Sequence, residues 1–394
     1  MFIYIIISII HSAIIFKPYK IFNKKVINTS VEELNVASNE SINLANKPNV
    51  FYFILDALGS ISNLENNGIN TKPIYDYLVS NGYKISLDSK SNYTETSLTL
   101  SSIYNLDYIV DGVNKFYTNT LNKGSAANYD YYPFFSKYQK IPLVNELDRI
   151  NYKFSRIENS FARCNQHIKI KCIKIFNHTF SSNFYNDYAL EVFFKSSLIF
   201  SIIKNKYDKD HIDSYDTIEH YKKIFFSSRD ELNHGGNFVF IHHMSPHRPM
   251  RSENCKVLEH PEKNLFTYKN YNSSVKCVFS RIKEINEIIL STYPNSIIVF
   301  QGDHGPIFEE DRGKEGSSKK PNIKLIKNRI SHFNAMLIPS RCEEKFYDKI
   351  GNIESIRLVL NCIGVKKIEP RKNSKTFIFY PNENPKIHNI KNLF

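Results

Sequence analysis

Residues 296–306 have the sequence Ser-Ile-Ile-Val-Phe-Gln-Gly-Asp-His-Gly-Pro. The apolar run from Ile297 to Phe300 ends at Gly302 and predicts a strand buried on both faces, as in the middle of a parallel sheet. Asp303 and His304 follow at its C-terminal end, where ligands bind in open α/β sheets. A carboxylate and an imidazole side by side can ligate one cation. On its own, the motif is equally compatible with a cation site and with a turn that ends the strand and leaves the aspartate solvated.

A second strand of the same kind is predicted in the N-terminal third of the chain. Pro48-Asn49 introduces the wholly apolar stretch from Val50 to Leu55, and Asp56 follows it. An aspartate thus follows each of two buried strands at its C-terminal end, which indicates a shared site at one edge of a sheet.

A third apolar strand, from Asn237 to Ile241, ends in three histidines and an arginine. These residues are His242, His243, His247 and Arg248. A single histidine at such a place is usually structural, whereas three within six residues are difficult to assign to packing. Histidine ligates metals, binds phosphate when protonated and transfers protons near neutral pH.

Hydroxyl side chains crowd the stretch from Ser91 to Ser102, which predicts the N-terminus of a helix. Helix capping explains one or two of them and is the simpler interpretation of the local sequence. The alternative is that Thr96, at the positive end of a helix beside a dication, is an activated nucleophile.

The composition predicts a globular protein. The chain has 394 residues, of which 42% are hydrophobic and 23% charged. Lysine and arginine outnumber aspartate and glutamate by 52 to 39, but the excess is scattered, and no Walker or dinucleotide-binding glycine loop occurs. These observations argue against a nucleic-acid partner. A basic surface would also suit anionic lipid headgroups or phosphorylated glycans.

The six cysteines form three couples that are close in sequence. These are Cys164 with Cys172, Cys255 with Cys277, and Cys342 with Cys362. An even number of cysteines in local couples, without a Cys-x-x-Cys motif, favours disulfides and an oxidising compartment. The alternative is six unrelated buried thiols, and six cysteines allow 15 connectivities.

The first sixteen residues are almost wholly apolar. As a helix they would span about 24 Å, short of the roughly 30 Å hydrocarbon core of a bilayer. A short membrane anchor, the core of a signal peptide and the remnant of a larger membrane region are all compatible with this. A cleaved signal is the weaker option, because no basic segment precedes the apolar stretch and no small-residue cleavage site follows it.

Lys17, Lys20, Lys24 and Lys25 come directly after the apolar stretch. For a lone helix, the positive-inside rule would keep the rest of the chain in the cytoplasm. This conflicts with the oxidising compartment indicated by the cysteines, which we give more weight. We therefore expect a membrane-anchored protein with its catalytic domain in the periplasm or otherwise outside the cytoplasm.

In their order along the chain, the four stretches resemble the alkaline phosphatase superfamily. The resemblance is closest to the sulfatase-like branch that holds bacterial phosphoethanolamine transferases and lipoteichoic acid synthases. It implies a three-layer α/β sandwich with a mostly parallel central sheet flanked by helices. On this basis we expect an anchor or membrane remnant at 1–16, a linker at 17–47, a sulfatase-like catalytic domain at 48–365 and a basic tail at 366–394, with a possible strand pair.

The resemblance also assigns roles to residues. It implies that Asp56, Thr96, Asp303 and His304 hold a divalent metal, zinc or manganese in relatives, and that Thr96 is the nucleophile. The transferase pattern Thr-x-x-(Ser/Thr) is met at residues 96–99. His242 and His247 would bind the transferred group or a second metal. His243 and Arg248 are additional candidates for phosphate contacts.

Three departures refine the expectation. The (Cys/Ser)-x-Pro-x-Arg motif of formylglycine sulfatases is absent, and Ala57 follows Asp56 where many sulfatases have a second acid. Both departures favour phosphoryl-group chemistry over sulfate-ester hydrolysis. The third departure is that the multi-helix membrane portion of typical transferases is missing, which weakens the expectation of a lipid donor.

The resemblance implies transfer of a phosphoethanolamine- or phosphoglycerol-type group from a phospholipid to an envelope glycan or lipid, through a phospho-threonine. One alternative is a phosphodiesterase or sulfuric ester hydrolase on the same site. Another is a non-catalytic envelope protein that binds glycans.

Overall fold

The computed structural model describes residues 47–109, 141–157, 168–173, 218–258, 265–312, 322–372 and 374–377. The strands within these ranges are β1 (Val50–Leu55), β2 (Lys84–Ile85), β3 (Lys153–Ile157), β4 (Ile170–Ile173), β5 (Asn237–His243), β6 (Ile297–Gly302) and β7 (Asn334–Leu337). The helices are α1 (Ile61–Asn66), α2 (Lys72–Ser80), α3 (Thr96–Asn105), α4 (Pro142–Arg149), α5 (Ile218–Ser227), α6 (Arg229–Asn233), α7 (Tyr268–Thr292), α8 (Glu309–Arg312), α9 (Ile323–Ile330), α10 (Ser340–Glu343) and α11 (Asn352–Cys362).

The strands form one sheet in the order β2-β7-β6-β1-β5-β3-β4. β1 pairs in parallel with β5 and with β6, β3 pairs in parallel with β5 and β4, and β7 is antiparallel to β6 and β2. The predicted α/β class with a mostly parallel sheet is therefore confirmed. The three strands predicted to end in site residues, β1, β5 and β6, are direct neighbours at its centre.

Side-chain alternation along β1 divides the core into two layers. Phe51, Phe53 and Leu55 belong to a cluster that includes apolar residues of α1, α2, α5 and α7. Val50, Tyr52 and Ile54 belong to a second cluster, with residues of α3, α4 and α11. Because successive residues of a strand point to opposite faces, a wholly apolar strand packs against helices on both sides. This produces the three-layer sandwich.

The edge strand β2 covers only Lys84–Ile85. The backbone N–H groups of Leu87 and Asp88 donate instead to the carboxylate of Asp348. A side-chain acceptor distant in sequence therefore ends the strand, and local propensity does not reveal it.

Two of the cysteine couples are disulfides, Cys255–Cys277 and Cys342–Cys362. Cys172 is also disulfide-bonded, and its predicted partner Cys164 lies outside the described residues. The apolar stretch at 1–16 lies outside them as well. None of the helices in the described ranges has the length and apolarity needed to cross a membrane.

Candidate metal centre and nucleophile

The candidate site lies at the carboxyl ends of β1, β5 and β6. Leu55, the last residue of β1, is in register with His243 of β5 and with Gly302 of β6. The residues that follow each strand therefore emerge at the same edge of the sheet. In this way the parallel pairing brings Asp56 together with Asp303 and His304, about 250 positions further along the chain.

Asp56, Asp303 and His304 form a compact, buried group. One potential ligand atom from each lies within 4.8 Å of the other two. Nε2 of His304 is 3.2 Å from Oδ2 of Asp303 and 4.0 Å from Oδ1 of Asp56. Among the described residues, this is the only group of three or more histidine, cysteine, aspartate or glutamate side chains arranged so closely.

Backbone donors fix the orientation of Asp303. Its Oδ1 accepts from the N–H groups of Ala57 and His304, both at 2.9 Å. Ala57 has a φ of +64°, unusual for a residue with a Cβ, in the turn directly after β1. The buried hydroxyl of Tyr271 donates to the carbonyl of Ala57 at 2.8 Å and accepts from the N–H of Gly59 at 3.2 Å. Tyr271 therefore braces the turn that presents Asp56.

Two glycines flank Asp303 and His304 because the backbone passes very close to its neighbours there. A Cβ on Gly302 would lie 2.2 Å from the carbonyl oxygen of Leu58, and one on Gly305 would lie 1.9 Å from that of Asn328. Both obstacles are backbone atoms, so side-chain movement cannot make room. Packing around the loop thus requires glycine at both positions.

Thr96 is the first residue of α3, and its hydroxyl lies 2.9 Å from Nε2 of His304. The capping interpretation does not hold for this residue, because the cap position belongs to Glu95. Thr99, one turn later, donates to the carbonyl of Asp303 at 3.3 Å, and Ser91 donates to the same oxygen at 2.6 Å. Two hydroxyls of the stretch therefore hold α3 and the segment before it against the loop after β6.

The histidines around Asp56 control its ionisation. Burial alone would raise the pKa of Asp56, but the charges of His247, His242 and His304 and a hydrogen bond from His242 outweigh it and hold the pKa below its usual range. Nε2 of His242 lies 3.4 Å from Oδ2 of Asp56. Asp56 is therefore an anionic ligand candidate over the whole physiological range of pH.

The pKa values of Asp303 and His304 are both shifted, and the shift of His304 suits metal ligation. Burial and the nearby charge of Asp56 raise the pKa of Asp303 to about 6. Burial and the charge of Arg329 lower the pKa of His304 well below its ordinary value, so its ring is neutral near pH 7. A metal ligand must present an unprotonated ring nitrogen, as this imidazole does.

Of the remaining predicted site residues, some lie beside Asp56 and others contact different partners. The backbone N–H of His247 donates to the carbonyl of Asp56 at 3.1 Å, which keeps its half-buried ring near the centre. His243 follows His242 on β5, so its side chain points to the opposite face of the sheet, and its Nδ1 hydrogen-bonds the hydroxyl of Tyr221. Arg248 is ion-paired with Glu309. The structure thus brings His242 and His247 to Asp56 and gives His243 and Arg248 other partners.

The residues fit a divalent metal. Oδ1 of Asp56 and Oδ2 of Asp303 are buried and make no hydrogen bond of ordinary geometry within the described residues. Unpaired buried carboxylate oxygens are costly unless a cation or donor satisfies them. Two carboxylates, one neutral imidazole and an adjacent hydroxyl form a donor set suited to zinc or manganese.

Several residues of the site left no local signal in the sequence. The metal-centre loops, which follow β1 and β6 and precede α3, are contacted by Tyr271 of α7, Asn352 of α11 and Arg329 of α9. Asn352 donates to the carbonyl of Gly302 at 2.7 Å, and Arg329 donates to that of Gly305 at 3.1 Å. Each is one polar residue on an amphipathic helix, which by itself suggests only a solvated or capping side chain.

Comparisons with known proteins support the fold. No protein-family model and no curated protein matches the sequence. Among solved structures, the C-terminal periplasmic domain of EcEptC from Escherichia coli in complex with zinc matches with a TM-score of 0.54 at 12% identity, over 90% of this chain and 95% of that one. A second crystal structure of that domain matches at 0.51 and 13%, with the same coverage. The lipoteichoic acid synthase LtaP from Listeria monocytogenes matches at 0.45 and 16%, over 85% and 77% of the two chains.

The fold is that of the C-terminal periplasmic domain of EcEptC. The resemblance carried by the four stretches of sequence is thereby confirmed at the level of architecture. At identities this low, a shared fold does not transfer an activity or a substrate. The function has to be argued from the site.

Proposed function

We propose that this protein is a metal-dependent phosphotransferase in which Thr96 is the nucleophile. The observation that carries the proposal is the 2.9 Å contact between the Thr96 hydroxyl and Nε2 of His304, beside two buried carboxylate oxygens that make no hydrogen bond of ordinary geometry within the described residues. A hydroxyl at the N-terminus of a helix, next to a ligand set for a dication, has the surroundings of an activated nucleophile.

Asp56, Asp303, His304 and Thr96 are the proposed ligands. A divalent cation, zinc or manganese, would supply Lewis-acid polarisation of the phosphoryl oxygens and of the Thr96 hydroxyl. His242, held at Asp56, and His247, half-buried nearby, would orient the phosphoryl group and offset charge on its oxygens.

The proposed reaction proceeds in two displacements. In the first, Oγ1 of Thr96 attacks the phosphorus of a phospholipid, the ester bond to the lipid alcohol breaks, and the hydroxyl proton of Thr96 is passed to the departing oxygen. In the second, an acceptor hydroxyl attacks the phospho-threonine, the Oγ1–phosphorus bond breaks, and the acceptor's proton returns to Thr96. Each step exchanges one phosphate ester for another, so no further reactant is needed.

The proposed donor is a phospholipid such as phosphatidylethanolamine or phosphatidylglycerol, and the proposed acceptor is a cell-envelope glycan or lipid. The disulfides support a location outside the cytoplasm, in a periplasm or at the cell surface. The apolar stretch at 1–16 supports anchoring to the membrane.

Peptide mass spectrometry tests the proposal. The full chain is incubated with zinc and a mixture of isotope-labelled phosphatidylethanolamine and phosphatidylglycerol, without acceptor. We expect a phosphoethanolamine or phosphoglycerol adduct on Thr96, absent from Thr96→Ala and retained at a reduced rate by Thr96→Ser. Turnover of phosphodiesters or sulfate esters without any adduct would identify a hydrolase instead. Neither adduct nor turnover in folded, zinc-loaded protein would favour a glycan-binding protein.

A further inference from the structure

Arg329 lies in the last turn of α9, and its guanidinium reaches two loops at once. Nε donates to the carbonyl of Thr94 at 2.6 Å, and Nη1 donates to that of Gly305 at 3.1 Å. The backbone N–H of Gly305 donates back to the carbonyl of Arg329 at 2.9 Å. With only 14% of its side chain exposed, Arg329 makes these contacts largely shielded from water.

The two carbonyls are close in the chain to the reacting groups. Thr94 lies two residues before Thr96, and Gly305 directly follows His304. The loop before α3 and the loop after β6 are therefore joined through one planar group, next to the Thr96–His304 contact. A change in either hydrogen bond would change the separation of these two side chains.

The third nitrogen of the guanidinium, Nη2, also has a neighbour. Nη2 lies 3.8 Å from Oε1 of Glu95, the residue between the two threonines. Three nitrogens of Arg329 are thus directed at the backbone and side chain of the metal-centre loops. This arrangement differs from an arginine that holds its donors ready for substrate, and it favours a role in geometry over a role in binding.

We propose that Arg329 is a positioning residue that holds Thr96 against His304 and so sets both the geometry of the metal centre and the direction of nucleophilic attack. The kinetic part of this inference rests on the proposed function, whereas the metal-binding part does not. The role requires a planar group with several fixed donors. A lysine, with a point charge on a flexible stem, cannot reach both carbonyls in the same way.

The test compares Arg329→Ala and Arg329→Lys with wild type and with Arg341→Ala, all in the full chain. Arg341 is the matched control, because its Nη2 also donates to a backbone carbonyl, that of Cys362, which belongs to the core away from the site. Zinc affinity is measured by calorimetry, and the geometry of the centre by the visible absorption of bound cobalt. The rate of adduct formation on Thr96 is measured against phospholipid concentration.

For Arg329→Ala we expect zinc affinity to fall by about 10-fold or more, as when groups that orient metal ligands are removed. We expect the limiting rate of adduct formation to fall by about 100-fold, with the half-saturating phospholipid concentration within about threefold of wild type. Arg329→Lys should resemble Arg329→Ala in the cobalt spectrum. Millimolar guanidinium should restore part of the rate in Arg329→Ala, and Arg341→Ala should behave as wild type.

Two results would overturn the inference. One is a half-saturating phospholipid concentration raised with an unchanged limiting rate, which would make Arg329 a substrate-binding residue. The other is wild-type zinc affinity and cobalt spectrum in a folded Arg329→Ala variant. If wild type forms no adduct but the zinc and cobalt results are as expected, the proposed function fails while the positioning role stands.

Discussion

Asp303 accepts a hydrogen bond from the backbone N–H of Ala57 at 2.9 Å, across a separation of 246 residues. This bond ties the loop after β6 to the loop after β1, and it holds the carboxylate of Asp303 near that of Asp56. The two acids are buried at the same point, so they repel each other unless a proton or a cation lies between them.

We predict that Asp303→Asn stabilises the metal-free protein and abolishes its stabilisation by zinc. An amide keeps an acceptor for the N–H groups of Ala57 and His304 but removes a charge that burial and Asp56 disfavour. The raised pKa of Asp303, about 6, suggests a gain of about 1–3 kcal/mol at pH 7. Thermal unfolding with a chelator and with excess zinc measures both effects. A variant less stable than wild type in chelator would show that the repulsion is not significant.

Gly305→Ala should destabilise the protein severely, by about 3 kcal/mol or more, because the new Cβ would overlap the backbone. It would lie 1.9 Å from the carbonyl oxygen of Asn328. Gly68→Ala is the control: its φ of +77° is also unfavourable for alanine, but nothing lies within 4 Å of the added Cβ. We expect that control to lose only about 1 kcal/mol in urea unfolding. Equal losses in the two variants would contradict the steric argument.

His332 is expected to make stability depend on pH. Burial lowers the pKa of its ring from 6.5 to about 4. Between these values the unfolded chain binds more protons than the folded one, so the free energy of unfolding should decrease as the pH falls from about 6.5 to 4. The gap between the two pKa values corresponds to about 3 kcal/mol.

The measurement is urea unfolding of chelator-treated wild type and His332→Asn at pH 7 and pH 4.5. Asn keeps a donor for the carbonyl of Phe333, to which the ring is bonded at 3.0 Å. Asp303 and His304 titrate in both proteins, so their contributions cancel in the difference. We expect wild type to lose more stability than the variant on acidification. Parallel losses would mean that His332 becomes charged in the folded protein without penalty.

Arg371→Met should cost about 3 kcal/mol of stability, since it would leave a buried carboxylate without its main partner. Glu354 is fully buried, and its two oxygens accept from Nε and from the backbone N–H of Arg371, at 2.9 and 2.6 Å. Arg149→Met, which breaks the exposed pair with Glu146, is the control and should cost less than about 1 kcal/mol. Adding Glu354→Leu to Arg371→Met should recover part of the loss. A small effect of Arg371→Met alone would show that this segment is not part of the cooperative fold.

The segment around Arg371 illustrates what local sequence conceals. The sequence suggests a basic tail from residue 366, yet Ser374 and Lys375 accept hydrogen bonds from Asn92, four residues before Thr96. The partners of Lys-rich, Asn-rich stretches are set by contacts distant in sequence. Composition cannot distinguish such a stretch from a solvated one.

The amino-acid sequence alone predicted the central strands β1, β5 and β6 and helices on both sides of the sheet, and the resemblance of its motifs to a known superfamily supplied the candidate ligands. A short, wholly apolar run such as Val50–Leu55 favours a strand buried on both faces, and acids and histidines that follow parallel strands are then expected at one edge of the sheet. Tertiary structure alone decided which side chains meet. Alternation along β5 puts His242 and His243 on opposite faces, but only the assembled structure shows that His242 lies beside Asp56 and His243 beside Tyr221. In the same way, Glu309 pairs with Arg248, and α9 brings Arg329 to the metal-centre loops. These contacts join residues between 22 and 235 positions apart in the sequence, beyond the reach of a local pattern.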